Sequence, residues 1–123
     1  RAALRLARDD DWEVREVAAS LLGTLLEAAF DRVLPRAREW VSGGDSRLRR
    51  AVVVAAKYAA RSRRPERAEP LLDLIEPALR DHDQYVRRNL GPFAIGDQLL
   101  RSYPEATLAR LGRCSVRRVA SAW

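Results

Sequence analysis

With 123 residues, 47% of them apolar and 33% charged, and only 6 Gly and 6 Pro, the chain has the make-up of one folded domain, which excludes collagen-like, low-complexity and wholly disordered polymers. Its longest apolar run, Ala51 to Ala56, falls far short of the roughly 20 residues that span a bilayer. No signal-peptide pattern opens the sequence, so a cytoplasmic protein with no membrane partner is expected. One Cys and one His exclude an internal disulfide and a Cys/His zinc cage, and no cofactor is expected.

The formal charge of +6 is unevenly spread: residues 1–43 carry 7 basic and 8 acidic side chains, residues 44–123 carry 16 and 9. Lys57 is the only Lys beside 22 Arg, a bias that fits planar phosphate forks and fits a GC-rich genome equally. No Met is present, and Arg1 already lies inside a helical pattern, as expected of a piece cut from a longer protein.

One phrase recurs along the chain: an Asp, two variable residues, a branched apolar residue and an Arg. It reads Asp11-Trp12-Glu13-Val14-Arg15, then Asp45-Ser46-Arg47-Leu48-Arg49, then Asp83-Gln84-Tyr85-Val86-Arg87; a fourth copy, Arg113-Cys114-Ser115-Val116-Arg117, lacks the Asp. The anchors Val14, Leu48, Val86 and Val116 are 34, 38 and 30 residues apart, the period of helix-pair solenoids. Each Asp suits a helix N-cap, so inner (B) helices are predicted from near 11, 45 and 83. Their inward faces would carry Val14, Val17, Ala18, Leu21 and Leu22, then Leu48, Ala51, Val52, Ala55 and Ala59, then Val86, Leu90, Phe93 and Ala94.

Outer (A) helices are predicted at about 28–41, 66–80 and 104–111. Pro65 and Pro104 suit first turns, Pro35, Pro70 and Pro77 predict late starts or kinks, and Gly43-Gly44 and Gly112 predict helix ends. A fourth B helix is expected from near Ser115. The expected architecture is an all-α, right-handed α-α solenoid fragment: a single domain, 1–123, with repeats at about 1–27, 28–62, 65–101 and a partial one at 104–123.

An A/B pair of this period, with Asp before the B helix and Val-Arg just inside it, resembles the HEAT-repeat family. That resemblance implies that Asp11, Asp45, Asp83, Arg15, Arg49, Arg87 and Arg117 form a polar ladder between repeats. The stretches from Trp40 to Val52 and Tyr85-Val86-Arg87-Arg88 are similar to the HEAT-like-repeat alkylpurine DNA glycosylases of the DNA alkylation repair family. Trp40 matches that family's aromatic residue before the turn, and Arg49-Arg50 match its Arg pair. Its catalytic Asp would fall on Gly44, with Asp45 one position late, and its later catalytic Arg would fall near Ile95, where no Arg stands.

Helical phase places Glu16, Arg50 with Lys57, Arg88 with Ile95, and Arg118 along the groove face of the B helices. Together with Trp40, the basic members form a candidate surface for duplex DNA, unmodified or alkylated, read through phosphates rather than bases. Asp45 or Asp97 would be the carboxylate to stabilise a cationic sugar if glycosidic cleavage takes place. The alternatives are a scaffold for an acidic protein partner and an active alkylpurine glycosylase. Trp12, Trp40 and Tyr85 either stack on a base or seal the space between repeats. His82 is expected as a turn residue, and Arg61-Ser62-Arg63-Arg64-Pro65 as a solvated loop in reach of phosphate. Gly91-Pro92 predicts a kink in the third B helix, opening a pocket toward which Asn89 and Asp97 would point.

Overall fold

The computed structural model describes residues 2–113, except for the side chain of Pro92. The predicted fourth B helix, with Cys114, Val116, Arg117 and Arg118, lies outside the described residues.

The three aspartates start the inner helices. Asp11, Asp45 and Asp83 stand in extended backbone (φ −80°, −95° and −81°), and each Oδ1 accepts a first-turn amide: from Glu13 at 2.9 Å, Arg47 at 3.0 Å and Tyr85 at 2.8 Å. The B helices that follow are α2 (Trp12–Ala28), α4 (Ser46–Ala59) and α6 (Gln84–Arg88); the last runs on through a wider segment, Asn89–Leu99, into α7 (Leu100–Ser102). The A helices are α1 (Ala2–Leu6), α3 (Phe30–Val41), α5 (Ala68–Ile75), prolonged by a 3₁₀ stretch Glu76–Arg80, and α8 (Pro104–Arg113). Pro65 and Pro104 open helical turns, Pro70 sits in the first turn of α5, and Pro77 coincides with its tightening into 3₁₀ geometry. Pro35 interrupts nothing: α3 runs through it. Gly112 is the last residue but one of α8.

Helix α2 packs along α4, and α4 along the Asn89–Leu99 segment; in the other layer α3 packs on α5 and α5 on α8. Leu26, Val52, Val53, Leu71, Leu74, Val86, Leu90 and Leu99 fill the space between the layers. The result is an all-α solenoid of helix pairs, with no strand among the described residues.

Two predicted core faces differ. On α2, Val17 is 64% and Leu21 43% exposed. Their counterparts three and seven residues after the anchor of α4, Ala51 and Ala55, are buried against α2; the matching side of α2 points away from α4 and nothing described covers it. In the third B helix Phe93 is 50% exposed and Ile95 is buried, the reverse of the predicted phase. Here the amides reach five residues back, as from Leu100 to the Ile95 carbonyl, and Pro92, which has no amide hydrogen, interrupts the α ladder inside this segment. The buried residues Val86, Leu90, Ala94 with Ile95, and Leu99 follow one another at four to five residues, the wider period of that register.

Candidate binding face of the inner helices

The turns preceding the B helices hold the repeats in register. The Arg four residues after each cap donates to the carbonyl two residues before it: Arg15 to Asp9 at 2.8 Å, Arg49 to Gly43 at 2.9 Å, Arg87 to Asp81 at 2.8 Å. Cross-repeat rungs fan out from the start of α4. Arg47 reaches back to the Asp10 carboxylate at 2.9 Å and the Arg8 carbonyl at 2.9 Å, while Arg49 forks forward onto Asp81 at 2.7 and 3.1 Å. Asp10 and Asp81 are therefore the acids of the hydrogen-bonded rungs, while the capping aspartates accept first-turn amides and Asp45 adds a longer cross-repeat contact to Arg8. Burial pulls the Asp81 carboxyl upward, but Arg49 and the Asp83 amide outweigh it and hold its pKa below the ordinary carboxylate value.

The Arg pair of α4 splits between this rim and the adjoining face. Arg50 is buried; its Nη2 donates to Glu16 of α2, and its guanidinium carbon lies 5.2 Å from the centre of the Tyr85 ring. Tyr85 is a hub for all three repeats, since Arg15 lies over the same ring at 5.5 Å and donates through Nε to its hydroxyl at 3.2 Å. Two turns further along α4, Lys57 sits over the exposed Phe93 ring at 5.2 Å and 4.0 Å from the Asp97 carboxylate. Arg88 is exposed. Beyond Lys57, the guanidinium of Arg61 stacks on Tyr58 at 4.4 Å, and both line a small cavity of about 160 Å³ with Ser20, Thr24 and Glu27 of α2.

Of the residues singled out in the sequence, Glu16, Arg50, Lys57 and Asp97 thus meet on one face, arranged as ion pairs that cancel most of their charge. Ile95 leaves that face for the core. Trp40 is half-buried and packs against the apolar clusters of successive repeats, whereas Trp12 is 64% exposed. The Oδ1 of Asp45 caps α4, accepting from Arg47 and Leu48, with Arg8 3.8 Å from its other oxygen. Twelve residues of helix separate Asp45 from Lys57, about 18 Å of rise, which puts Asp45 and Asp97 at opposite ends of α4. Asn89 donates to the Tyr85 carbonyl of its own helix at 2.7 Å, so its amide does not open a pocket.

Sequence reasoning missed the exposure of Phe93 and the central place of Tyr85. It also missed Arg110 of α8, which is buried among three carboxylates of α5 and the 3₁₀ stretch after it, Glu69, Asp73 and Glu76, at 3.1, 2.7 and 3.6 Å. The spacing of those acids on an otherwise apolar helix was the available signal. Among the described residues no group of three or more His, Cys, Asp or Glu is placed to hold a metal, and no helix is long and apolar enough to cross a membrane.

Residues 2–29, which make up the α1–α2 pair, match the HEAT repeat family model. No curated protein and no solved structure matches the chain. The matched pair and the stacked pairs that follow make an α-solenoid of helix pairs, an architecture in which successive B helices form one continuous face.

Proposed function

We propose that the chain is a docking scaffold that holds an acidic protein segment against the B-helix face, with Phe93 as the apolar anchor. The observation that carries this reading is the wide-register segment, which turns a large aromatic out of the core and sets it half exposed beneath Lys57. Helix segments of this register are rare overall but frequent at functional sites, and aromatic anchors that become buried in a partner's pocket carry much of the energy of protein interfaces. Arg88 and Arg61, both exposed, supply positive charge for an acidic partner.

A second reading, duplex DNA, is favoured by the exposed run Arg61, Arg63 and Arg64 and by the net charge of +6. Against it, Arg50 faces Glu16 and Lys57 faces Asp97, so two of the groove cations are already neutralised. A glycosylase relation rests on Asp45 or Asp97 facing a sugar alone, and neither is placed beside the other.

Peptides selected from a display library on the whole chain, measured beside a short duplex in one buffer, test the choice. The scaffold reading expects acidic peptides whose affinity falls at least about tenfold on Phe93→Ala. It fails if selected peptides ignore Phe93. It also fails if duplex binds with a salt slope that drops by roughly 3 on replacing Arg61, Arg63 and Arg64 by Ala.

A further inference from the structure

Three arginines are buried among the described residues: Arg50, Arg67 and Arg110. A guanidinium taken out of water needs an anion close by, because desolvating an uncompensated charge is among the most costly events in folding. Arg50 has Glu16, and Arg110 has Glu69, Asp73 and Glu76. Arg67 has no carboxylate in ion-pair reach among the described residues. Its Nη1 donates to the Glu27 carbonyl at 3.1 Å, and its guanidinium carbon lies 4.6 Å from the centre of the Phe30 ring.

Arg67 also lines a cavity of about 750 Å³ between the turn joining α2 to α3 and the loop joining α4 to α5. Phe30, Leu34 and Pro70 give it apolar walls, and the exposed Asp31, Arg32, Arg64 and Glu66 stand around it. The volume lies within the range of small-molecule sites. These four outer charges cancel formally, which leaves Arg67 as one uncompensated positive charge inside. Pro65 opens the 3₁₀ turn that carries Arg67, and the stack on Phe30 and the bond to Glu27 hold its fork in place before any ligand arrives.

We infer that this cavity binds a small organic carboxylate, with its apolar body against Phe30 and Leu34 and its carboxylate completing the ion pair of Arg67. A planar carboxylate matches the guanidinium fork in a bidentate manner, and with the outer charges balanced Arg67 compensates one negative charge and not the second that a phosphate monoester would bring. The site lies at the turns that follow the B helices, away from the ladder at the turns that precede them, and does not depend on the docking role of Phe93.

The test is an amide chemical-shift titration of the whole chain with phenylacetate, phenylacetamide and phenyl phosphate. Phenylacetate should give saturable shifts centred on residues 28–34 and 64–69, and the neutral amide should bind at least about tenfold more weakly. Arg67→Met should weaken phenylacetate at least about tenfold while Arg67→Lys keeps part of the affinity. Ala28→Trp, at an exposed residue lining the cavity, should block binding without touching Arg67, and covers the case in which Arg67→Met fails to fold. Absence of saturable shifts, equal binding of the amide, undiminished binding by Ala28→Trp, or tighter binding of phenyl phosphate would each overturn the assignment.

Discussion

Replacing Arg49 by Met tests whether the rim ladder or the apolar core sets the junction between the second and third repeats. The Asp81 side chain is 6% exposed and accepts from Arg49 Nε and Nη2 and from the Asp83 amide. Met fills the space of the Arg stem but leaves that carboxylate with one backbone donor and no cation. Removing one partner of a buried pair costs about 3–5 kcal/mol. Because the Arg49 side chain is 18% exposed and water can approach from its side, the lower end, about 3 kcal/mol, is expected. For a chain of this length that corresponds to roughly 10 °C in melting temperature. Adding Asp81→Asn to the Met variant removes the stranded charge, keeps an acceptor for the Asp83 amide, and should restore about half the loss. Urea titrations followed by circular dichroism, with the slope checked against wild type, give both numbers. A loss below about 1 kcal/mol for Arg49→Met would show that the rung is a surface ornament. A double variant no more stable than the single one would show that the cost lies in packing and not in the orphaned carboxylate.

Three further outcomes follow from the same geometry. A Cβ on Gly23 would stand 2.6 Å from Tyr58 Cβ and 3.2 Å from the Ala55 carbonyl oxygen, whereas one on Gly44 meets nothing within 4 Å. Gly23→Ala should therefore destabilise by about 1–3 kcal/mol despite its better helix propensity, Gly44→Ala should be near neutral, and equal melts for the two variants would refute the close α2–α4 approach. The Asp81 pKa lies below its ordinary 3.8, so its contribution is complete above that value and is lost as pH falls through the folded pKa. The Asp81→Asn variant should lose less stability than wild type between neutral pH and about pH 3, and parallel acid melts would contradict this. Phe93→Ser should cost only about 1 kcal/mol, half the worth of a fully buried Phe, because the side chain is already half in water; a loss of about 3 kcal/mol or more would return Phe93 to the core.

What was legible in the sequence is what is decided within a few residues. An Asp followed by an amphipathic run fixes a helix start through its own first-turn amides, and Asp11, Asp45 and Asp83 all do so. The helical register after Pro92 is not local in that sense. An α spacing puts Phe93 with Val86 and Leu90, and a five-residue spacing puts Ile95 and Leu99 there instead. Which wins depends on the long face of α4 against which this segment packs. The outward turn of Val17 and Leu21 was hidden for a related reason: periodicity marks an apolar face without telling whether a neighbour covers it.

The charges on the inner face were legible in position but not in consequence. Glu16 and Arg50 each stand two residues after their anchors, Val14 and Leu48, so the phase that places both in the groove also places them side by side on adjacent helices. Facing the same solvent at that spacing, opposite charges meet each other first, and the pair that forms withdraws Arg50 from any outside anion. The same logic explains why counting basic residues overstates an electropositive surface in a stacked array: a rung of the stack sets an Arg of one repeat against an acid of a neighbouring repeat, as Arg49 meets Asp81 of the following one and Arg110 meets Asp73 of the preceding one. A cation that escapes this pairing is then more informative than the total. Arg67 is a buried cation that escapes it among the described residues, and it does so beside the 750 Å³ cavity rather than on the groove face.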